Sequence, residues 1–402
     1  MPTQPSVLVL GLGIAGSSIA ATLAHRGFRV TALEQFSPLH DRGSSHGDTR
    51  IYRRVPHEGP VYVEIAEISH RLWLNWNNLW RNSSASDNLN LYLPIGGIDA
   101  GPPGSPLVQS AETLCRQYHQ PYELLTAESL HRRHPIYQLP SHWTAIHQPN
   151  SGVVRPDATR TFLHAYARSA GATLLHNTQV LEINPTPTGI TLRTQAETGT
   201  LETHTADHLI VTAGSWTSSL FPNLHLPLTP ERRVLAWFQP PQPISPNTPI
   251  FILDADGGWY GMPTPDGRLK LGHDKHLRQP VNRESAPNTP ASIAAPAPPT
   301  AEDAAFLSTC IRNYFPTIPP EPTQLASCIY TLTPDHHFLI DHHPTHPNIL
   351  LFSPCSGHGF KFAPAYGQIA ADLLTGNPTV DLSLFRINRT ASPTTQITRF
   401  AT

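Results

Sequence analysis

The stretch Ser6-Val-Leu-Val-Leu-Gly-Leu-Gly-Ile-Ala-Gly16 opens the regular part of the chain and decides its fold. Its apolar run, Val7 to Leu10, is typical of a buried parallel strand. The residues from Ile14 to Ala24 are compatible with a helix, and a second apolar strand, Phe28 to Leu33, ends at Glu34. The pattern therefore predicts a strand–helix–strand unit with a glycine turn after its first strand.

Three glycines and one carboxylate in this unit have the spacing of a dinucleotide site. Gly11 permits a tight turn, Gly13 lets a pyrophosphate approach the backbone, and Gly16 lets helix and strand pack closely. The helix N-terminus offers free N–H groups and a positive dipole end. Glu34 would accept hydrogen bonds from an adenosine ribose and repel a 2′-phosphate. The unit predicts NAD or FAD binding, and the alternative is an ordinary strand-to-helix turn.

The composition sets the limits of the remaining interpretation. With 402 residues the chain is longer than a single domain with one hydrophobic core usually is, so we expect two domains. A net charge of -2 gives no sign of a nucleic-acid surface. No apolar run approaches the ~20 residues of a membrane span, and the first strand leaves no room for a signal peptide. The four cysteines lack disulfide or zinc spacing, so we expect a cytoplasmic protein with reduced thiols.

Apolar periodicity predicts the elements that follow. Helices are predicted over 61–82, 112–119, 157–170, 302–314 and 364–375. Short strands are predicted over 173–176, 178–183, 190–194, 208–211, 234–238, 259–262, 268–272 and 349–352. The strand at 208–211 runs into Thr212-Ala-Gly-Ser215, a second strand-to-glycine turn that we expect to approach the same cofactor.

Elements of a nucleotide-binding fold thus occur at both ends of the chain and in its middle. We predict an α/β fold with a discontinuous, Rossmann-like cofactor domain and an inserted α+β substrate domain on a mostly antiparallel sheet. The cofactor domain would comprise 1–84, 150–222 and 328–390, and the substrate domain 85–149 and 223–327. The Pro/Ala/Ser-rich segment 285–300 is predicted to be a surface loop.

Two clusters of side chains have more than one interpretation. Arg50, Arg53 and Arg54 follow the nucleotide unit, and they either bind an anionic substrate or form a solvated surface. The pairs His336-His337 and His342-His343 lack a third ligand on an identifiable element. We therefore predict no metal site.

Five further blocks carry a family resemblance. They are Gly43-Ser-Ser-His-Gly-Asp-Thr-Arg50, Val211-Thr-Ala-Gly-Ser-Trp216, Lys270-Leu-Gly272, Cys328-Ile-Tyr-Thr-Leu-Thr-Pro-Asp-His-His-Phe-Leu-Ile-Asp341 and Ser356-Gly-His-Gly-Phe-Lys-Phe362. With the opening glycines, the chain resembles the monomeric sarcosine oxidase and N-methyltryptophan oxidase family of FAD-dependent amine oxidases. The blocks occur in family order over almost the whole chain, and the first and last are the specific ones.

The resemblance implies a cofactor and a substrate site. FAD would be carried by Cys328 through a thioether to the 8α-methyl of the flavin, with Gly357 and Gly359 also at the cofactor. Arg53 and Lys361 match the pair that binds the substrate's carboxylate, for which a planar fork and a compact charge are suited. Under this interpretation Arg54 is the solvated neighbour.

The remaining roles also come from the resemblance. Lys270 matches the lysine beside the flavin that promotes reaction with oxygen, where a fixed cation would stabilise superoxide. His46 and Arg50 match residues against the flavin, where positive charge favours the anionic reduced form. Tyr260 and Tyr330 match residues that line the substrate cavity.

One position departs from the family pattern. Asp274 stands where the family has an active-site histidine, and His273 and His276 flank it.

The resemblance implies a monomeric oxidase of N-methyl amino acids that uses O2 and releases formaldehyde and peroxide. Alternative substrates are N-methyltryptophan, pipecolate-like or fructosyl amino acids. Alternative classes are a flavin dehydrogenase that passes electrons to a partner protein and a nucleotide-binding protein without activity.

Overall fold

A computed structural model of the chain describes residues 4–83, 86–276, 279–280 and 296–389. Its helices are α1 (Ile14–His25), α2 (Pro60–Arg81), α3 (Pro106–Gln117), α4 (Ala127–Arg133), α5 (Pro156–Ser169), α6 (Thr217–Leu220), α7 (Ala301–Tyr314) and α8 (Ala363–Thr375).

The strands follow the same order along the chain. They are β1 (Ser6–Leu10), β2 (Arg29–Leu33), β3 (Arg50–Tyr52), β4 (Tyr92–Leu93), β5 (Gly97–Gly101), β6 (Glu123–Thr126), β7 (Thr144–Gln148), β8 (Gly152–Val154), β9 (Thr173–Leu175), β10 (Thr178–Thr186), β11 (Gly189–Ala196), β12 (Leu201–Ala206), β13 (His208–Val211), β14 (Thr229–Phe238), β15 (Ile250–Leu253), β16 (Trp259–Pro263), β17 (Leu269–His273), β18 (Gln279–Pro280), β19 (Gln324–Leu332), β20 (Leu339–His343) and β21 (His346–Ser353).

A six-stranded sheet has the order β20-β21-β13-β1-β2-β9. All neighbours in it are parallel except β20 and β21. Because side chains alternate along a strand, β1 presents Val7 and Val9 to a core with α1, α5 and α8. Leu8 and Leu10 face the opposite core, which includes Ile190 of the antiparallel sheet β10-β11-β12. Both faces of β1 are therefore buried, which explains its continuous apolar sequence.

A nine-stranded sheet forms the second large layer. It has the order β18-β14-β17-β16-β15-β5-β7-β6, with β19 also paired to β14. Its strands are antiparallel except for the β15–β5 pair. Alternation along β14 places Val234 and Ala236 in a core with α7, while Leu235 and Trp237 face the other side with Cys328. That second face is the wall of the candidate site.

The structure confirms the predicted fold class, a Rossmann-like unit combined with a mostly antiparallel sheet. The helix predicted at 112–119 is wrong in its start, because α3 begins at Pro106. Ser105 accepts a hydrogen bond from the Val108 N–H, and proline suits the first helical position. In the short sheet β3-β8-β4, the strands β3 and β8 had no counterpart among the predicted elements.

The predicted domain division remains a prediction. The boundary placed at 328 falls within β19, which pairs along its whole length with β14. Residues 285–295 of the predicted loop lie outside the described part of the chain. Within that described part, no helix has both the length and the apolar character needed to cross a membrane.

Candidate active site

The opening glycines form the turn between β1 and α1. Gly11 has φ +99°, a left-handed conformation that favours glycine. A Cβ on Gly16 would lie 1.8 Å from the carbonyl oxygen of Gly11, so α1 approaches the turn as closely as only glycine allows. The Ile14 N–H at the start of α1 donates to Ser45 Oγ at 3.0 Å. The helix N-terminus and the loop that contains Ser45 therefore share one end of the site.

Glu34 is held at the end of β2, beside the glycine turn. Its carboxylate accepts hydrogen bonds from the Leu12 N–H at 2.9 Å and the Phe36 N–H at 3.2 Å. Burial acts to raise the pKa of Glu34, but His40 and these backbone donors hold that pKa below its ordinary value. Glu34 is therefore an ionised acceptor at neutral pH, as ribose binding requires.

Two further turns meet the first one. Thr212, after β13, donates from its hydroxyl to the carbonyl oxygens of Leu10 at 3.0 Å and Gly11 at 2.8 Å. After β21, Gly357 has φ +78°, and a Cβ on Gly359 would lie 1.7 Å from the Pro354 carbonyl oxygen. Because the carboxyl ends of parallel strands share one sheet edge, the three turns converge where open α/β sheets bind ligands.

A cavity of about 430 Å³ extends from these turns to the inner face of the nine-stranded sheet. Its volume is within the range of about 300–1,000 Å³ that is usual for ligand sites. Twelve of the predicted site residues line it: Gly11, Gly13, Glu34, Arg50, Arg53, Tyr260, Lys270, Cys328, Tyr330, Gly357, Gly359 and Lys361. Gly16 lies behind the turn, and His46 is not among the lining residues.

Lys270 enters the cavity from β17 and is only 1% exposed. Its Nζ donates to Asp48 Oδ1 at 2.6 Å and to the Thr49 carbonyl oxygen at 3.0 Å. The ammonium also lies 4.8 Å from the ring centroid of Trp237. Burial and the charge of Arg50 lower the pKa of Lys270 to about 8, and Asp48 opposes this shift. Lys270 is thus a buried cation whose charge is only partly neutralised.

Arg50 and His46 differ in the charge that they can supply. The Arg50 guanidinium donates from Nη2 to the His46 carbonyl oxygen at 2.7 Å and lines the cavity. Burial and the charge of Arg50 lower the pKa of His46 to about 4, so its imidazole is neutral at pH 7. The positive charge expected here from both residues therefore comes from Arg50.

Cys328 lies on β19 facing the cavity and is 2% exposed. Burial raises the pKa of its thiol, although Arg50 and Lys270 act in the opposite direction. Tyr330 is on the same strand and Tyr260 is on β16, and their hydroxyl oxygens lie 2.7 Å apart. The thiol and the two phenols share one apolar wall with Leu235 and Trp237.

Arg53 and Lys361, the predicted carboxylate-binding pair, meet at a carboxylate of the chain itself. Arg53 Nη2 donates to Glu58 Oε2 at 2.7 Å, and Lys361 Nζ lies 3.3 Å from Glu58 Oε1. A second carboxylate, Asp99 on β5, lies 3.5 Å from Arg53 Nη1. Two cations thus face two carboxylates in this cluster. His57 contacts Arg53, and His358 Nδ1 lies 3.3 Å from Glu58 Oε1.

Arg54 is not the solvated neighbour that the sequence suggested. It is 4% exposed, pairs with Glu67 on α2, and is not among the cavity-lining residues. The neighbouring arginines therefore have different surroundings: Arg53 lines the cavity, and Arg54 pairs with α2.

Asp274 lines the cavity at the position where the family has histidine. Neither flanking histidine joins it: His273 packs against Trp259 at 4.4 Å between ring centroids, and His276 pairs with buried Asp303 at 2.7 Å. The cavity therefore gains a carboxylate in place of an imidazole. Among the described residues, no group of three or more His, Cys, Asp or Glu could hold a metal ion.

The chain is similar in sequence to known proteins over most of its length. A family model for FAD dependent oxidoreductases matches residues 6–373. The chain belongs to this family. The predicted identity as an FAD-dependent oxidoreductase is thereby confirmed. Monomeric sarcosine oxidase of Streptomyces avermitilis is 34% identical over 96% of this chain and 98% of its own length. N-methyl-L-tryptophan oxidase of Salmonella heidelberg is 31% identical over 95% of this chain and 98% of its own length.

Solved structures of an amino acid oxidase and of a dehydrogenase share the fold. The open form of NikD, an amino acid oxidase essential for nikkomycin biosynthesis, superposes with a TM-score of 0.79 at 23% identity and covers 96% of this chain and 98% of its own. L-proline dehydrogenase from P. horikoshii has a TM-score of 0.77 at 20% identity, covering 97% of this chain and 98% of its own. At these identities the likeness concerns the fold alone.

The residues present fit FAD. The glycine turn leaves room for a diphosphate at the start of α1, and Glu34 offers an ionised acceptor. Arg160, on α5, adds a buried cation that sequence reasoning missed: it is 1% exposed, lines the cavity, and its Nε has no hydrogen-bond partner among the described residues. Its nearest ion-pair contact is Asp157 at 3.9 Å. A guanidinium in this state is suited to a phosphate.

Sequence reasoning also missed three carboxylates. Asp48 is inside a block that was recognised, so its position beside Lys270 could have been suspected. Glu58 and Asp99 carry no motif, and only the folded chain brings them to Arg53.

Proposed function

We propose that the chain is an FAD-dependent oxidase of N-methyl amino acids. It would oxidise the secondary amine to an imine, which water hydrolyses to a primary amino acid and formaldehyde, while O2 is reduced to H2O2. The observation that carries the proposal is that Arg53 and Lys361 line the same cavity as the glycine turn, Lys270 and Cys328. The names of the sarcosine and N-methyltryptophan oxidase relatives support it.

The substrate would bind through its carboxylate. The planar fork of Arg53 and the compact charge of Lys361 suit a carboxylate, and they would fix its position relative to the flavin. Burial raises the pKa of Tyr260 and Tyr330, so both phenols stay protonated. One of them donates to the other across their 2.7 Å contact, and the second can donate its proton to the substrate. The apolar wall around them would exclude water from the amine.

The cofactor would be held at both ends. The glycine turn, Glu34 and Arg160 would bind its adenosine and diphosphate, and Cys328 would form the thioether at the 8α-methyl. When bound, FAD supplies the two-electron chemistry, taking a hydride equivalent from the carbon next to nitrogen and passing electrons to oxygen. Lys270 would hold a positive charge where oxygen is reduced, and Arg50 would stabilise negative charge on the flavin.

Several finer statements belong to the proposal. The substrate could instead be N-methyltryptophan, a pipecolate-like or a fructosyl amino acid, and Asp274 changes the lining where these side chains would differ. A dehydrogenase with a protein acceptor would use the same fold. The domain boundaries, a monomeric state and a cytoplasmic location are part of the same proposal.

A substrate screen tests the function. Sarcosine, N-methyl-L-tryptophan, pipecolate and a fructosyl amino acid would each be mixed anaerobically with the enzyme, and flavin bleaching followed. We expect N-methyl amino acids to bleach the flavin, and one peroxide per substrate to appear in air. Bleaching without peroxide would indicate the dehydrogenase, and no bleaching by any of them would refute the proposal.

Two matched substitutions sharpen the test. Arg53→Met should abolish bleaching, because the carboxylate loses its fork. Arg54→Met removes the neighbouring buried arginine outside the cavity, and flavin bleaching should persist.

Acid denaturation followed by gel filtration tests the covalent link between the flavin and Cys328. The flavin colour should stay with the wild-type chain and separate from the Cys328→Ser chain.

A further inference from the structure

Binding of a substrate carboxylate would change the charge balance of the cluster formed by Arg53, Lys361, Glu58 and Asp99. Arg53 and Lys361 supply two positive charges, and Glu58 and Asp99 supply two negative ones. All four side chains are at least 96% buried on their side-chain surface. A substrate carboxylate would bring a third negative charge into this volume. An uncompensated buried charge is costly, and for a ligand without a positive charge of its own, protonation of one carboxylate of the cluster would remove that cost.

The two internal carboxylates differ in how firmly they are held. Glu58 lies 2.7 Å from Arg53 Nη2 and 3.3 Å from Lys361 Nζ. Although burial opposes its ionisation, these two cations hold the pKa of Glu58 well below its ordinary value. Asp99 has longer contacts, 3.5 Å to Arg53 Nη1 and 3.4 Å to the Gln148 amide nitrogen. Burial raises the pKa of Asp99 to about 6, with Arg53 opposing and Glu58 adding to the shift.

The groups around Asp99 leave it as the adjustable member of the cluster. Beside it on β7 lies Gln148, which is uncharged, and α3 contributes Cys115, whose pKa burial raises to about 12. The segment before α2 contributes Arg53, His57 and Glu58. The turn before α8 contributes Lys361 and His358, and His358 contacts Glu58 and not Asp99. Asp99 has the longest contacts to the cations and an uncharged amide beside it, so protonating it disturbs the cluster less than protonating Glu58.

We propose that Asp99 is a positioning residue that takes up one proton when a carboxylate substrate binds to Arg53 and Lys361. Asp99 is ionised in the free enzyme at neutral pH, and its contact with Arg53 Nη1 helps to hold the guanidinium in place. In the complex its protonation restores the charge balance while the substrate carboxylate joins Glu58 at the two cations. The inference rests on the proposed function, since it requires a carboxylate ligand at this pair.

Proton uptake can be counted directly. Butanoate is the probe, because it has the shape of sarcosine with a methylene in place of the amine, and it is fully ionised above about pH 6. Titration calorimetry of the flavin-loaded enzyme at pH 7.5, in two buffers of different ionisation enthalpy, gives the number of protons taken up. We expect nearly one for the wild type and none for Asp99→Asn. Asp254→Asn, which alters another buried carboxylate of the same sheet, should behave as the wild type.

The pH dependence gives a second measurement. The dissociation constant of butanoate should rise about tenfold per pH unit above pH 6 in the wild type, and it should not change with pH in Asp99→Asn. Binding by the wild type without proton uptake would overturn the inference whatever the variants do, as would unchanged uptake in Asp99→Asn. Failure of the wild type to bind butanoate at any pH would instead overturn the proposed function.

Discussion

Lys270→Met is the substitution with the sharpest expected effect. The ammonium is almost fully buried between Asp48 and the Trp237 ring, and methionine keeps its length without its charge. Under the proposed function, reduction of the flavin by substrate should change little. Reoxidation by O2 should slow strongly, because superoxide would form without a neighbouring cation.

The magnitude follows from the depressed pKa of Lys270. A shift from 10.5 to about 8 corresponds to about 3 kcal/mol of poorly compensated positive charge. A negative charge that forms beside the Lys270 ammonium would recover a comparable free energy. At about 1.4 kcal/mol per factor of ten, reoxidation should slow by about two orders of magnitude. The wild-type rate should be highest while Lys270 is protonated and should fall as pH rises through about 8.

Stopped-flow absorbance can follow the two half-reactions separately. The reductive step is measured without oxygen, and the oxidative step by mixing reduced enzyme with O2 between pH 6 and 10. Lys275→Met removes an exposed lysine five residues away and should leave both rates unchanged. Equal slowing of both half-reactions in Lys270→Met would refute the assigned role, and so would a fall near pH 8 that persists in this variant.

Three further predictions concern binding and stability. Gly16→Ala would place a Cβ 1.8 Å from the Gly11 carbonyl oxygen, so the purified protein should lose FAD and melt at a lower temperature; an unchanged flavin content would contradict this. Asp303→Asn breaks a fully buried ion pair with Arg232 of 2.6 Å, and urea unfolding should show a loss of about 3–5 kcal/mol; a loss below about 1 kcal/mol would count against it. Arg160→Met should reduce the flavin bound per chain but leave the KM of the remaining holoenzyme unchanged; normal flavin content would exclude a role for this guanidinium in cofactor binding.

The cofactor end of the site could be predicted from the sequence because its residues lie within one short strand–turn–helix–strand unit. Gly11, Gly13 and Gly16 report backbone conformations and close approaches within one strand–turn–helix unit, and the structure shows those approaches. Glu34 follows from the same spacing, and its hydrogen bond to the Leu12 N–H joins the two ends of the unit. Elements with clear apolar periodicity, such as α2 and β14, were likewise predictable.

The substrate end was readable only in part. The family blocks pointed to Arg53 and Lys361, but their partners Glu58 and Asp99 come from a loop and a strand without any motif. Ionisation states were also out of reach, because they depend on burial. His46 was expected to carry charge, and its burial beside Arg50 keeps it neutral. Folding decides both matters, through the contact of Arg53 with Asp99, that of Glu58 with Lys361, and the burial of His46.

Under the proposed attachment of FAD to Cys328, the position of this cysteine on β19 would have a consequence for how the protein matures. Gly11 follows a strand of the six-stranded sheet, whereas Cys328 belongs to the nine-stranded sheet, so the two ends of an attached flavin would be anchored in different layers. The thioether could form only after both layers had assembled around the cofactor. The fraction of chains that carry the flavin covalently, measured as flavin fluorescence on a denaturing gel, would then equal the fraction of chains that had assembled correctly.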